Sequence, residues 1–245
     1  MPLEKSKSAG AYQAHRDRQR RRILDAAKNL FDENGIDRVT MAEITSVSGV
    51  RASTVYQYFS NKDEIVWAIT GEVLGHGLVT IKQAMDAAPT ALARISSLLE
   101  RMAEALENHR SDVRFMAQFD AMYARDWPAE QLLTLESQIN PEGFGYFSKL
   151  VREGIADGSL RADLDPDLTM HAVINAVVGA QRRLASLGNK VEQEYGQPVD
   201  RLFRETIRVI LLGLRALETP AVGKSEKKLH KLAKARKKIS KGRTS

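Results

Sequence analysis

Thr40 to Glu64 reads TMAEITSVSGVRASTVYQYFSNKDE, two short helical stretches hinged on a glycine. Thr40-Met41-Ala42-Glu43 is a capping box, in which a threonine hydroxyl and a glutamate carboxylate satisfy amides that a helix start leaves open. Met41, Ile44 and Val47 give this helix a buried side. Ser48-Gly49-Val50 is the turn, the next helix runs from Arg51 or Ala52 to Tyr58, and Asn61-Lys62-Asp63-Glu64 caps another. A helix this short does not persist alone in water, so packing through Val50, Val55 and Phe59 must hold it. That leaves Arg51, Ala52, Ser53, Thr54, Gln57 and Tyr58 outward. The spacing is that of a helix-turn-helix.

The outward set suits double-stranded DNA. Small residues let a helix sit deep in a major groove, where Arg can bond guanine and Gln can bond adenine through two hydrogen bonds. Ser, Thr and Tyr hydroxyls suit phosphates, as do the amide-rich helix starts at Thr40 and Asn61.

Working outward, nearly everything from Arg20 to Glu218 has helical period. Ile23, Ala26, Ala27, Leu30 and Phe31 stripe a first helix that Asn34-Gly35 stops. Further helices are expected near 90–107, 111–125, 128–139, 142–157, 166–187 and 198–218, with Pro128, Pro141, Pro166 and Pro198 at or near their starts. No alternating strand pattern competes. The fold expected is all-α, an N-terminal helix-turn-helix domain joined to a larger helical domain. The boundaries read are a basic arm at 1–19, the DNA-binding domain at 20–66, an effector-binding and dimerisation domain at 67–220 and a basic tail at 221–245.

The 245 residues are 43% hydrophobic and 28% charged, an ordinary soluble composition. No cysteine is present, which excludes disulfides and thiolate metal sites. The first residues lack the apolar core of a secretory signal, and no apolar run is long enough for a membrane span. The expectation is a cytoplasmic protein. Charge is concentrated at the ends: seven bases face two acids from Met1 to Arg22, and ten face one from Ala221 to Ser245, around a net acidic body. Such ends suit a polyanion or remain solvated. The arm suits phosphates or a minor groove. The tail, with Leu229, Leu232, Ala233 and Ile239 among its lysines, either folds on DNA or an anionic membrane surface or stays disordered. Five scattered histidines form no His-x-x-x-His pair, and no nucleophile elbow or phosphate-cradling loop occurs. No enzyme, metal or cofactor is expected.

The stretch ILDAAKNLFDENGIDRVTMAEITSVSGVRASTVYQYFSNKDEI resembles the tetracycline-repressor (TetR) family of bacterial transcription regulators. The resemblance covers roughly Arg20 to Ile69 and rests on the Ile-Leu-x-Ala-Ala-x-x-Leu-Phe helix, Gly35, Thr40, Ile44, Gly49-Val50, Thr54, Val55-Tyr56, Tyr58-Phe59 and Lys62-Asp63-Glu64-Ile65. Two departures stand out: Ser48 where the family usually has Ala, and Arg51-Ala52-Ser53 in place of its usual residues. The family's base contact from position 52 is here a methyl group, so base readout is assigned to Arg51 and Gln57. Tyr56, Tyr58, Lys62 and Thr40 look like phosphate contacts by resemblance. Tyr56 has a second reading, with its ring in the core and only its hydroxyl free.

The resemblance further implies a homodimer on a palindromic operator, paired through the last two large helices. Leu168, Ala172, Asn175-Ala176 and Gly179-Ala180 suit one of them. Phe203, Ile207, Ile210, Leu211 and Leu214 suit the other, unless both simply bury within one chain. It implies a repressor relieved by a small-molecule effector held among the intervening helices, with the fourth helix and its Gly71, Gly75 and Gly77 as lever. Met102, Phe119, Tyr123, Phe147 and Asn175 are the effector-binding candidates, drawn from an aromatic and Met supply that includes Phe144. Asn175 could equally bond across the dimer. The competing class is a ligand-independent, DNA-coating architectural protein that uses its basic ends.

Overall fold

The computed structural model describes residues 3–139 and 145–216. Phe144, Pro141 and the tail at 221–245 lie outside them. The described residues form helices joined by short turns, with no strand beyond an isolated bridge between Leu160 and Arg215. In chain order the helices are α1 (Leu3–Asn34), α2 (Met41–Ser48), α3 (Ala52–Tyr58), α4 (Lys62–Asp86), α5 (Ala91–Asn108), α6 (Arg110–Tyr123), α7 (Ala129–Ile139), α8 (Gly145–Ala156), α9 (Thr169–Leu187), α10 (Lys190–Tyr195) and α11 (Val199–Leu214).

Two apolar cores organise them. The first gathers Ile23, Leu24, Ala27 and Phe31 of α1, Ile44 of α2, Val55 of α3, Phe59 and the start of α4. It also takes in Phe115, Met116 and Phe119 of α6, which follow the helix-turn-helix by a long stretch of chain. The second core joins α5, α8, α9, α10 and α11 through Leu98, Leu99, Leu106, Leu150, Val177, Leu184, Phe203 and Ile207, among others. α4 packs on α5, α5 on α11, and α6 on α9. Side-chain burial of this kind, more than propensity, holds short helices such as α2 and α3.

Several expectations change here. α1 does not start near Arg20; its helix runs back to Leu3, so the residues read as an arm continue it. α4 is unbroken through Gly71, Gly75 and Gly77, and a Cβ at Gly71 would make only ordinary contact with Leu135 of α7, at 3.7 Å. α10 was not foreseen; at six residues it is too short for a periodic signal. Val47, expected to be buried, is 57% exposed on α2, because Ile44 and Ser48 already fill the face turned to α1.

Candidate nucleic-acid interface

The start of α2 is built as its sequence requires. Thr40 Oγ1 accepts from the Glu43 amide at 3.3 Å, while the Glu43 carboxylate accepts from the Thr40 amide at 2.7 Å and from its hydroxyl at 2.8 Å. The Thr40 amide and, after it, the hydroxyl hold the Glu43 carboxyl below the usual carboxylate range. At the other end Gly49 takes φ 61°, a left-handed conformation that favours glycine. A Cβ there would also stand 2.7 Å from the Arg22 guanidinium. Ser48, the departure from the family's Ala, is buried and useful: its hydroxyl donates to the Thr45 carbonyl at 3.0 Å and accepts from the Val50 amide at 3.3 Å.

α3 then turns its polar side outward. Val55 is fully buried and Phe59 nearly so, whereas Arg51, Ala52, Ser53 and Gln57 are exposed and Thr54 is half-buried. Arg51 occupies the cap position, where its carbonyl accepts from the amides of Thr54 and Val55 and its side chain makes no cap bond. Tyr56 is 53% exposed, so its ring lies outside the core, against the second reading of that residue. Tyr58 is half-buried. Its hydroxyl donates to Gln19 at 3.4 Å and the Arg16 guanidinium lies over its ring at 5.7 Å, which joins α3 to the basic face of α1. Arg20 covers Phe59 in the same way at 5.6 Å.

Lys62 departs from expectation. Its ammonium donates to the carbonyls of Ile36 at 2.7 Å, Val39 at 3.0 Å and Asp37 at 3.3 Å. An ammonium has three donors, and in the chain alone all three are engaged by the α1–α2 turn, which makes Lys62 a clamp on that turn. Asn61 caps α4, accepting from the Glu64 amide at 2.9 Å.

Among the described residues the five effector candidates lie in different parts of the fold. Phe119 is fully buried beside Trp67 (5.2 Å between ring centroids) and Tyr123 (4.7 Å), against the helix-turn-helix core. The Tyr123 hydroxyl is buried with no well-formed hydrogen bond among the described residues, and burial, aided by Asp63 and opposed by the nearby Trp67, pushes the phenol above its ordinary range. Met102 and Phe147 pack against the other core. Asn175 is exposed, because α9 buries Met170, Val173, Val177, Gln181 and Leu184 and turns Asn175 the other way. The buried amide of α9 is Gln181, which donates to the Met102 carbonyl at 2.7 Å. Its place on that buried stripe is the signal that could have found it. A shallow cavity of about 220 Å³ between α5 and α11 is lined by Leu92, Ser96, Arg208, Leu211, Leu212 and Arg215, none of them a candidate. Among the described residues no His, Cys, Asp and Glu group is arranged to hold a metal, and no helix is long and apolar enough to cross a membrane.

An exposed polar helix set by a capped helix and a tight turn, on an otherwise helical body, defines a helix-turn-helix DNA-binding regulator. Residues 23–69 match the family model of bacterial regulatory proteins, tetR family. The transcriptional repressor KstR2 of Mycolicibacterium smegmatis is 28% identical over 150 residues, 61% of this chain and 71% of that one. Among solved structures, the MbdR regulator from Azoarcus sp. CIB matches with a TM-score of 0.63 at 21% identity, over 80% of this chain and 98% of that one. FadR from Bacillus subtilis, solved in complex with stearoyl-CoA, matches with a TM-score of 0.57 at 20% identity, over 78% and 97%. Residues 23–69 thus form a DNA-binding domain of the kind found in bacterial regulatory proteins of the tetR family, and the remaining helices are similar in fold to regulators of that kind.

Proposed function

We propose that this chain is a repressor that binds a palindromic operator as a homodimer and releases it when a small-molecule effector enters the helical body. The observation that carries the reading is the outward face of α3, polar and small, on a fully buried Val55. Arg51 and Gln57 read bases, Ala52 lets the helix approach, and Ser53, Thr54, Tyr56, Tyr58 and Thr40 meet phosphates. Residues 20–66 serve as the reading domain and 67–220 as the effector and dimer domain.

The dimer surface in this reading is the outer side of α9 and α11. Leu168 at the cap of α9 and Ala172, Asn175, Ala176 and Gly179 along it are exposed, and Val209 and Leu212 are exposed on α11 at 56% and 51%. Small side chains there let helices approach closely, and such apolar exposure fits a partner copy. A two-fold pair places its reading helices about 34–36 Å apart, which requires a palindrome. The effector must favour the DNA-incompetent arrangement, since equal affinity for both shifts nothing. Coenzyme A thioesters of fatty acids are the first class to test, because FadR was solved with one.

The test is a footprint of the purified protein on the DNA upstream of its own gene at physiological salt. A protected palindrome, preferred over random DNA by roughly 10³–10⁷, is the expected result. Sequence-indifferent coating that weakens steeply with salt would overturn it in favour of an architectural protein.

A further inference from the structure

We propose that α6 fixes the orientation of the DNA-reading head, with Gln118 and Arg114 as its positioning residues, although both belong to the body by sequence. The inference rests on the repressor reading above.

The two ends of the Gln118 amide act in opposite senses on the end of α1. Its Oε1 accepts from the Ile36 amide at 2.8 Å, and its Nε2 donates to the Phe31 carbonyl at 3.1 Å. Helix ends leave such groups without partners, and Ile36 is only 2% exposed, so water does not readily replace this bond. One turn earlier on α6, Arg114 grips Asp32 with two parallel bonds of 2.8 and 2.7 Å. Lys28 and Asp112 add an ion pair at 3.4 Å. Between these polar contacts Phe115 stacks on Phe31 at 6.2 Å, and Phe119 enters the head's core fully buried.

The same turn is held from a second side. Lys62 of α4 takes the Ile36 carbonyl while Gln118 of α6 takes the Ile36 amide. The entry to α2 is therefore fixed by two helices at one residue. On its other flank α6 is tied to the body, where Asp120 pairs with Arg182 of α9. In the proposed dimer α9 meets its twin, so α1, α6 and α9 form a continuous strut from reading head to partner subunit. α4 joins head to body by covalent continuity; α6 does so through side chains that can let go. A side-chain amide is suited to this, since it donates and accepts at once.

The experiment compares the full-length chain with Gln118→Leu and Arg114→Met on two DNAs at one reduced salt concentration. One DNA is the palindrome found upstream; the other keeps one half-site and scrambles its twin. Thermal midpoint and salt slope are recorded for each variant. If α6 positions the head, the variants lose about tenfold or more on the palindrome through lost preorganisation. They bind the half-site within about twofold of wild type, and their salt slope is unchanged because no phosphate contact is lost. Equal losses on both DNAs would show a structural role in the head alone and overturn the inference. So would variants that bind the palindrome like wild type. Wild type that prefers no palindrome overturns the repressor reading itself, and the inference with it, before any variant is made.

Discussion

Arg51 stands at the start of α3 with its side chain in solvent and its carbonyl committed to the α3 amides. Arg51→Ala therefore leaves the fold intact and removes one candidate base contact. It should cost about 1–3 kcal/mol of operator affinity and relax specificity at one base pair, measured by binding to single-position operator variants. Lys62 sits close in sequence and has the opposite character. With its ammonium spent on three carbonyls, Lys62→Met should lower stability by about 1–2 kcal/mol in denaturant unfolding. The salt slope of DNA binding should stay at the wild-type value. A slope reduced by about one would return Lys62 to the phosphate contacts.

α2 is where charge and helix structure are most directly linked. The Thr40 amide, then its hydroxyl, hold Glu43 below its ordinary value of 4.5. A carboxylate with a depressed folded pKa adds stability that is present above its unfolded value and is lost as pH falls through the folded one. Glu43→Gln should therefore unfold at a lower temperature than wild type at pH 7, and the gap should close below pH 4.5, followed by circular dichroism across pH 3–7. α6 depends on burial instead. Phe119 is fully buried among Trp67, Tyr123 and the head's core, so Phe119→Ala should cost about 3–5 kcal/mol. A shift in denaturant midpoint at unchanged slope would register it.

At the scale of the whole molecule, the exposed apolar residues of α9 and α11 form the contact of the proposed dimer. Leu212→Glu places a charge on the exposed side of α11, within the proposed contact, and leaves each chain's cores untouched. Sedimentation should show a monomer, and affinity for the palindrome should fall by at least tenfold while half-site binding persists. A dimer that survives this change would move the interface elsewhere.

The capping box, the Gly49 turn, the helix starts near Pro128 and Pro198 and the outward face of α3 were all legible in the amino acids. Each rests on groups within a few residues of one another, where backbone geometry and helical period decide the outcome. What the side chains do over longer spans was not legible. Gln118 finds the Ile36 amide 82 positions away, and Lys62 finds the Ile36 carbonyl 26 positions away. Their partners are backbone atoms, which carry no mark in the sequence. Asn175 and Gln181 make the same point on one helix: both are amides among apolar neighbours, and only the side from which α5 approaches made Gln181 the buried one. Local chemistry thus determined a helical chain with a helix-turn-helix whose second helix turns a polar face outward. Tertiary packing alone decided that α6 joins the reading head, because that assignment depends on which surfaces meet after the helices have formed.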